Sequence, residues 1–127
     1  SYTVSTAIEG TLKACQLLEI DFEQATLAVV GATGAIGRTC ARILSERFGR
    51  TILVGRDEER TQLAANEIPG AVATTDANRV READAVITVT SAESAILLPE
   101  HFRRGAVVCD VARPRDVSVR VAKERPD

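Results

Sequence analysis

The eleven residues from Leu27 to Gly37, LAVVGATGAIG, constrain this chain more than any other stretch. A short apolar run, Leu27 to Val30, passes directly into glycines at 31, 34 and 37 and then into a helical pattern. That order reads as strand, tight turn, helix. A glycine-rich turn at such a junction leaves main-chain N–H groups unobstructed at the positive end of a helix, which is what a dinucleotide diphosphate needs. The usual spacing is G-x-G-x-x-G; here Thr33 stands in the second glycine's place and glycines recur at every third residue. Gly31 is expected to make the sharp exit from the strand, Gly34 to let a diphosphate approach the backbone, and Gly37 to let the helix pack closely on the sheet. The Thr33 hydroxyl adds a donor for a phosphate oxygen. An ordinary structural turn is the competing reading, and the joint presence of strand, glycines and helix weighs against it.

The flanking pattern supplies the rest of the fold. Apolar Val4, Ile8, Leu12, Cys15 and Leu18 recur near the helical period, so residues 3–19 form a leading helix, joined by a connector, Asp21 to Gln24, to a first strand at about 26–31. A helix from about Ala35 to Phe48 carries Ile36, Cys40, Ile43 and Leu44 on one stripe, with Gly49 as its C-terminal stop. Thr51 to Gly55 is the second strand, and Asp57 caps a helix reaching about Glu67, stopped by Pro69-Gly70. Ala71 to Thr74, Ala85 to Val89 and Ala106 to Cys109 follow as short strands, with Asp76 and Pro99 opening short helices between them. Asp116 is expected to open a final helix at about 117–124. Strands alternating with helices imply right-handed crossovers and a parallel sheet. The fold class is therefore α/β, a doubly wound parallel sheet of Rossmann type, spatial order 3-2-1-4-5, with a leading helix and a ligand crevice at the carboxyl ends of strands one and four.

With 127 residues the chain is one domain, residues 1–127, of which 1–24 are the leading helix and connector. Aromatics make up only 3% against 45% hydrophobic residues, so Ala, Val, Ile and Leu must pack the core, as in a sheet covered on both faces. A net charge of −2 with both signs interspersed offers no basic stripe for nucleic acid. No apolar run reaches membrane length. Cys15, Cys40 and Cys109 are widely spaced, and His101 is the only histidine, so no metal site is expected. The cysteines read as small core residues of a cytoplasmic, reducing setting. The chain reads as a portion of a longer enzyme, whose missing domain would hold a small-molecule or acyl-carrier substrate. Homo-oligomerisation is left open.

Beyond the glycine turn, the end of the second strand bears on cofactor choice. An NAD site tends to place a carboxylate there for the ribose 2′-hydroxyl. This chain has Gly55-Arg56-Asp57-Glu58-Glu59-Arg60. Arg56 can bond bidentately to a 2′-phosphate, and Arg60 lies one helical turn later, which favours NADP. Asp57 has two readings, a ribose ligand or a helix cap. Thr90, Ser91 and Ala92 follow the fourth strand, where small residues let a nicotinamide sit and hydroxyls can bond its ribose or carboxamide; a generic turn is the alternative. Arg113 and Arg115 beside Pro114 could meet an anionic substrate or a partner domain, or form surface pairs. No catalytic unit is visible: the catalytic residues are unknown, and His101 reads as a solvated surface side chain.

A leading helix, then IDFEQATLAVVGATGAIG, then a GRD-type strand end, resembles the NADP-binding domain shared by shikimate dehydrogenases and their relatives, including the long-chain acyl-[acyl carrier protein] reductases. The segment VVCDVARPRDV is similar to the end of the nucleotide domain in glutamyl-tRNA reductases. The resemblance implies phosphate contacts from Ala32, Thr33, Gly34, Ala35 and Ile36, 2′-phosphate contacts from Arg56, and nicotinamide-side contacts from Thr90 and Ser91. It implies reduction of an activated acyl group to an aldehyde or, second, shikimate-type alcohol oxidation. A non-catalytic nucleotide-sensing module is the alternative class. The catalytic lysine of shikimate dehydrogenases and the nucleophilic cysteine of the acyl reductases have no counterpart within these 127 residues.

Overall fold

The computed structural model describes residues 2–89, 99–113 and 116–123. Six strands, β1 (Thr26–Val30), β2 (Arg50–Val54), β3 (Val72–Thr74), β4 (Ala85–Val89), β5 (Val107–Arg113) and β6 (Asp116–Val121), form one sheet in the order β3-β2-β1-β4-β5-β6. All neighbours are parallel except β5 and β6. The expected order 3-2-1-4-5 is thus present, with a sixth strand added.

Strand residues sort by parity. Leu27, Val29, Leu53, Ile87, Val107 and Cys109 face one side, under α1 (Tyr2–Leu17), α2 (Ala35–Leu44) and α3 (Glu58–Asn66). Ala28, Val30, Ile52, Val54 and Val86 face the other, where Val80, Ala83 and Phe102 cover them. Every residue of β1 is buried, so this central strand reads as a continuous apolar run rather than an alternating one. Each fully buried Leu, Ile or Val contributes roughly 1.5–3 kcal/mol, which lets aliphatic side chains hold the core without aromatics.

The leading helix buries Val4, Ala7, Thr11 and Cys15. It ends where Glu19 turns left-handed (φ 57°) and the Ile20 N–H bonds back to the Cys15 carbonyl at 3.0 Å. Gly10 lets α1 lie close on β6: a Cβ there would stand 3.0 Å from Val119 Cγ2.

Two expectations are corrected. The second helix stops at Leu44 rather than Phe48. Phe48 lies beyond the helix and packs edge-on against Phe22, with ring centroids 5.3 Å apart. Gly49 is no left-handed helix stop; its N–H bonds the Phe22 and Ala25 carbonyls, and a Cβ would collide with the Glu23 carbonyl. The final helix expected at 117–124 is instead β6, antiparallel to β5, and Asp116 opens a strand rather than capping a helix. The segment DVSVRV alternates with period two, and Val117 and Val119 pack against the helix-covered face. Register pairs Arg113 with Asp116, a separation only an antiparallel hairpin permits. Asp110 fixes that register: its carboxylate accepts from the Thr88 hydroxyl on β4 and pairs with the Arg120 guanidinium on β6.

All three thiols are buried. Burial pushes Cys15 and Cys40 up to about 11 and moves Cys109 in the same direction. The folded thiols therefore keep their protons after those of the unfolded chain, ordinarily near 9.0, are lost. Their contribution to stability is complete below that value and declines as pH rises toward 11. Urea midpoints should accordingly fall across this alkaline window, and native protein should react with a thiol reagent much more slowly than unfolded protein. Rapid labelling of the folded chain would contradict the burial.

Candidate nucleotide-binding site

At the carboxyl end of β1 the backbone turns inside a confined space. Gly31 takes a left-handed φ of 85°, and its N–H donates to the Val54 carbonyl at 3.0 Å. A Cβ on Gly31 would collide with the Val89 carbonyl of β4, and one on Gly37 would collide with the Gly31 carbonyl. Ala32 between them is fully buried. The turn is thus pinched between β4 and the first turn of α2, as expected of Gly31 and Gly37.

Gly34 differs from both. It is the N-cap of α2 with an ordinary φ of −82°, and a Cβ there would have no atom within 4 Å. Thr33, Gly34 and Ala35 are exposed, while Ile36 is half-buried. No side chain caps α2. By contrast, Asp21, Asp57 and Asp76 cap the 3-10 turn at Phe22–Gln24, α3 and the 3-10 turn at Ala77–Glu82, each accepting a main-chain N–H. The first-turn amides of α2 therefore lack what the sequence supplies at these other three starts. A helix start with open amides and a positive dipole end suits an anion.

Beside this turn lies the end of β2. Register pairs Val30 with Val54, so Gly31 and Gly55 leave the sheet at one level. The Asp57 carboxylate accepts the Arg60 N–H at 3.0 Å, so it acts as the cap of α3, the second of its two readings. Arg56 and Arg60 are both exposed. Arg60 and Thr33 line an open groove of about 450 Å³ between α2 and α3, together with Arg38, Leu63, Ala64 and Glu67. Arg38 and Glu67 form an ion pair at 2.5 Å across it. The Arg38 guanidinium holds the Glu67 carboxyl below the usual carboxylate range.

The structure thus gathers Gly31, Ala32, Thr33, Gly34, Ala35, Ile36 and Gly37 in one turn and adds Arg60 through the groove. Thr90, Ser91, Ala92 and Arg115 lie outside the described residues. Arg38 and Glu67 were not singled out in the sequence, although position 38 follows the last glycine and lies off the stripe of Gly37, Cys40, Ala41 and Leu44. Among the described residues no His, Cys, Asp and Glu cluster could hold a metal ion, and no helix is long and apolar enough to cross a membrane.

The sequence profile of the shikimate/quinate 5-dehydrogenase family matches residues 13–125. The chain belongs to this family. Its sheet order and glycine turn make it a nucleotide-binding domain of Rossmann type. A long-chain acyl-[acyl-carrier-protein] reductase from Synechococcus elongatus is 31% identical over 128 residues, spanning 98% of this chain and 36% of the reductase. The chain therefore spans about a third of that relative's length. Shikimate dehydrogenase from Aquifex aeolicus superposes with a TM-score of 0.64 at 18% identity, covering 83% of this chain and 41% of the other. Quinate dehydrogenase from Corynebacterium glutamicum, in complex with NAD, gives 0.59 at 16% identity, covering 83% and 42%. At these identities the two structures share the family's fold.

The glycines separate experimentally. Gly31→Ala should lower stability by more than about 1 kcal/mol, because it strains a left-handed residue and forces β4 aside. Gly34→Ala should leave the melting curve close to that of the parent. Equal losses in parallel urea melts would show that Gly34 is also a packing residue.

Proposed function

We propose that this domain binds NADP(H) for an oxidoreductase that moves hydride to or from a carbonyl carbon. The observation that carries the reading is the uncapped start of α2 at Gly34, open to solvent where the other described N-caps are aspartates. Ala32, Thr33, Gly34, Ala35 and Ile36 would hold the diphosphate. Arg56 and Arg60 would hold the 2′-phosphate, a choice supported by Asp57 being engaged as a cap. Thr90, Ser91 and Ala92 would stand on the nicotinamide side, since they follow β4 in sequence. When bound, the nicotinamide supplies or accepts the hydride; this chain seats the cofactor and leaves substrate chemistry to the rest of the protein.

The reaction we favour is reduction of an acyl thioester to an aldehyde. Its support is the reductase relative, 31% identical across nearly all of this chain. Shikimate-type alcohol oxidation is the second reading, favoured by the family match over residues 13–125. Three buried free thiols suit the reducing cytoplasm.

Titration with both cofactors tests the site. Gly34→Val should abolish binding of NADPH and NADH alike by occupying the diphosphate's approach. Arg56→Ala should weaken NADPH by about 1.5–3 kcal/mol and leave NADH almost unchanged. Equal losses for both cofactors in Arg56→Ala would mean that Arg56 does not read the 2′-phosphate. The full-length protein supplied with NADPH and a long-chain acyl thioester should form aldehyde. Cofactor binding without turnover of any thioester, hydroxy acid or ketone would instead leave a nucleotide-sensing module.

A further inference from the structure

The groove between α2 and α3 holds more charge than the strand-end arginines account for. Two arginines, Arg38 and Arg60, line it together with Thr33, and Glu67 is the only carboxylate among its described lining residues. Arg38 reaches the groove from α2, not from the end of β2. It lies four residues after Gly34, on the helix whose first turn would hold the diphosphate. The Arg60 guanidinium has no ion-pair or hydrogen-bond partner among the described residues, whereas Arg38 is held by Glu67. Both members of that pair are about half exposed, with side-chain exposures of 44% each, so separating them costs little.

We infer that Arg38 and Glu67 form an exchangeable pair that sets cofactor choice: Arg38 leaves Glu67 to bind the 2′-phosphate with Arg60, and Glu67 opposes that binding. This rests on the NADP reading above and extends it to two residues outside the strand-end motif. A phosphate monoester carries close to two negative charges at neutral pH. The groove's two arginines match it, but Glu67 reduces their sum by one and competes for the same guanidinium. Glu67 thus takes the place at Arg38 that a phosphate oxygen would take, and it would repel that oxygen as the phosphate enters. The charge-assisted hydrogen bond lost by Glu67 is replaced by one of equal kind, so the exchange is close to balanced. A purely structural brace between α2 and α3 would show none of this: its removal would change melting temperature and not cofactor choice.

Calorimetric titration of the chain with 2′,5′-ADP and 5′-AMP, and with NADPH and NADH, tests the proposal without any turnover. Arg38→Ala should weaken 2′,5′-ADP and NADPH roughly tenfold and leave 5′-AMP and NADH within about twofold. Glu67→Gln, which keeps Arg38 in place, should tighten 2′,5′-ADP and NADPH by about threefold or more and leave the other two unchanged. If the unmodified chain fails to prefer 2′,5′-ADP over 5′-AMP, the NADP reading itself is wrong. If that preference is present but Glu67→Gln leaves 2′,5′-ADP unchanged or weakens it, the exchange is overturned while the NADP reading stands. Should Arg38→Ala melt too early to titrate, the Glu67→Gln result decides alone.

Discussion

The close approach of β1 to β4 and α2 at Gly31 is the constraint on which the rest is arranged. One main-chain atom set must pass between the Val89 carbonyl and the backbone of Gly37, with no room for a Cβ on either glycine. This contact brings the start of α2 directly over the sheet and aims its first turn across the gap between β1 and β4. That gap is where the strand order reverses direction, since β2 and β3 extend one way from β1 while β4 and β5 extend the other. Aliphatic packing on both faces then makes the position rigid. The low aromatic content follows from the same geometry, because closely set helices over a short-stranded sheet leave space for Ala, Val and Cys rather than for rings.

Charge pairing differs between the two ends of the sheet. At the amino end, Asp84 accepts the Thr26 N–H at 2.9 Å and pairs with Arg103 at 2.6 Å. Glu82 pairs there with Arg79 and Arg50, and these two guanidiniums hold its carboxyl down at about 2. These contacts tie β1, β2 and β4 to the segments leading into β4 and β5, and their charges are spent on one another. At the carboxyl end, Arg60 has no such partner among the described residues, and the aspartate nearest to it serves a helix start. The amino end is thus laced by ion pairs between segments, whereas at the glycine-turn end the Arg60 guanidinium is left for an outside anion, with Asp57, Glu58 and Glu59 exposed beside it.

Most of the architecture was legible because it depends on local chemistry. The apolar run at Leu27–Val30, the glycines after it, and the aspartate caps at Asp57 and Asp76 each announce themselves within a few residues, and each is where it was expected. The misreadings came from long-range partners. Phe48 fits a helical stripe by spacing, yet its contact with Phe22 across the connector ends the helix earlier. Asp116 has the composition of a cap, and only pairing with β5, fastened by Asp110, makes its segment a strand. The Arg38–Glu67 pair joins residues 29 apart on two helices, so no window of sequence could show it. The site was legible where the backbone makes it and hidden where side chains from separate helices complete it.

The aspartate starts of α3 and of the two 3-10 turns close their own ends within the chain. The first turn of α2 has no such closure, so its amide protons should exchange with solvent sooner than those of the adjoining sheet. A diphosphate seated there would complete the helix from outside, slow that exchange and raise the melting point in proportion to the logarithm of its concentration. In this domain occupancy and local order would then be one equilibrium, and a partner that sensed the stiffness of a single helical turn would be sensing the redox cofactor.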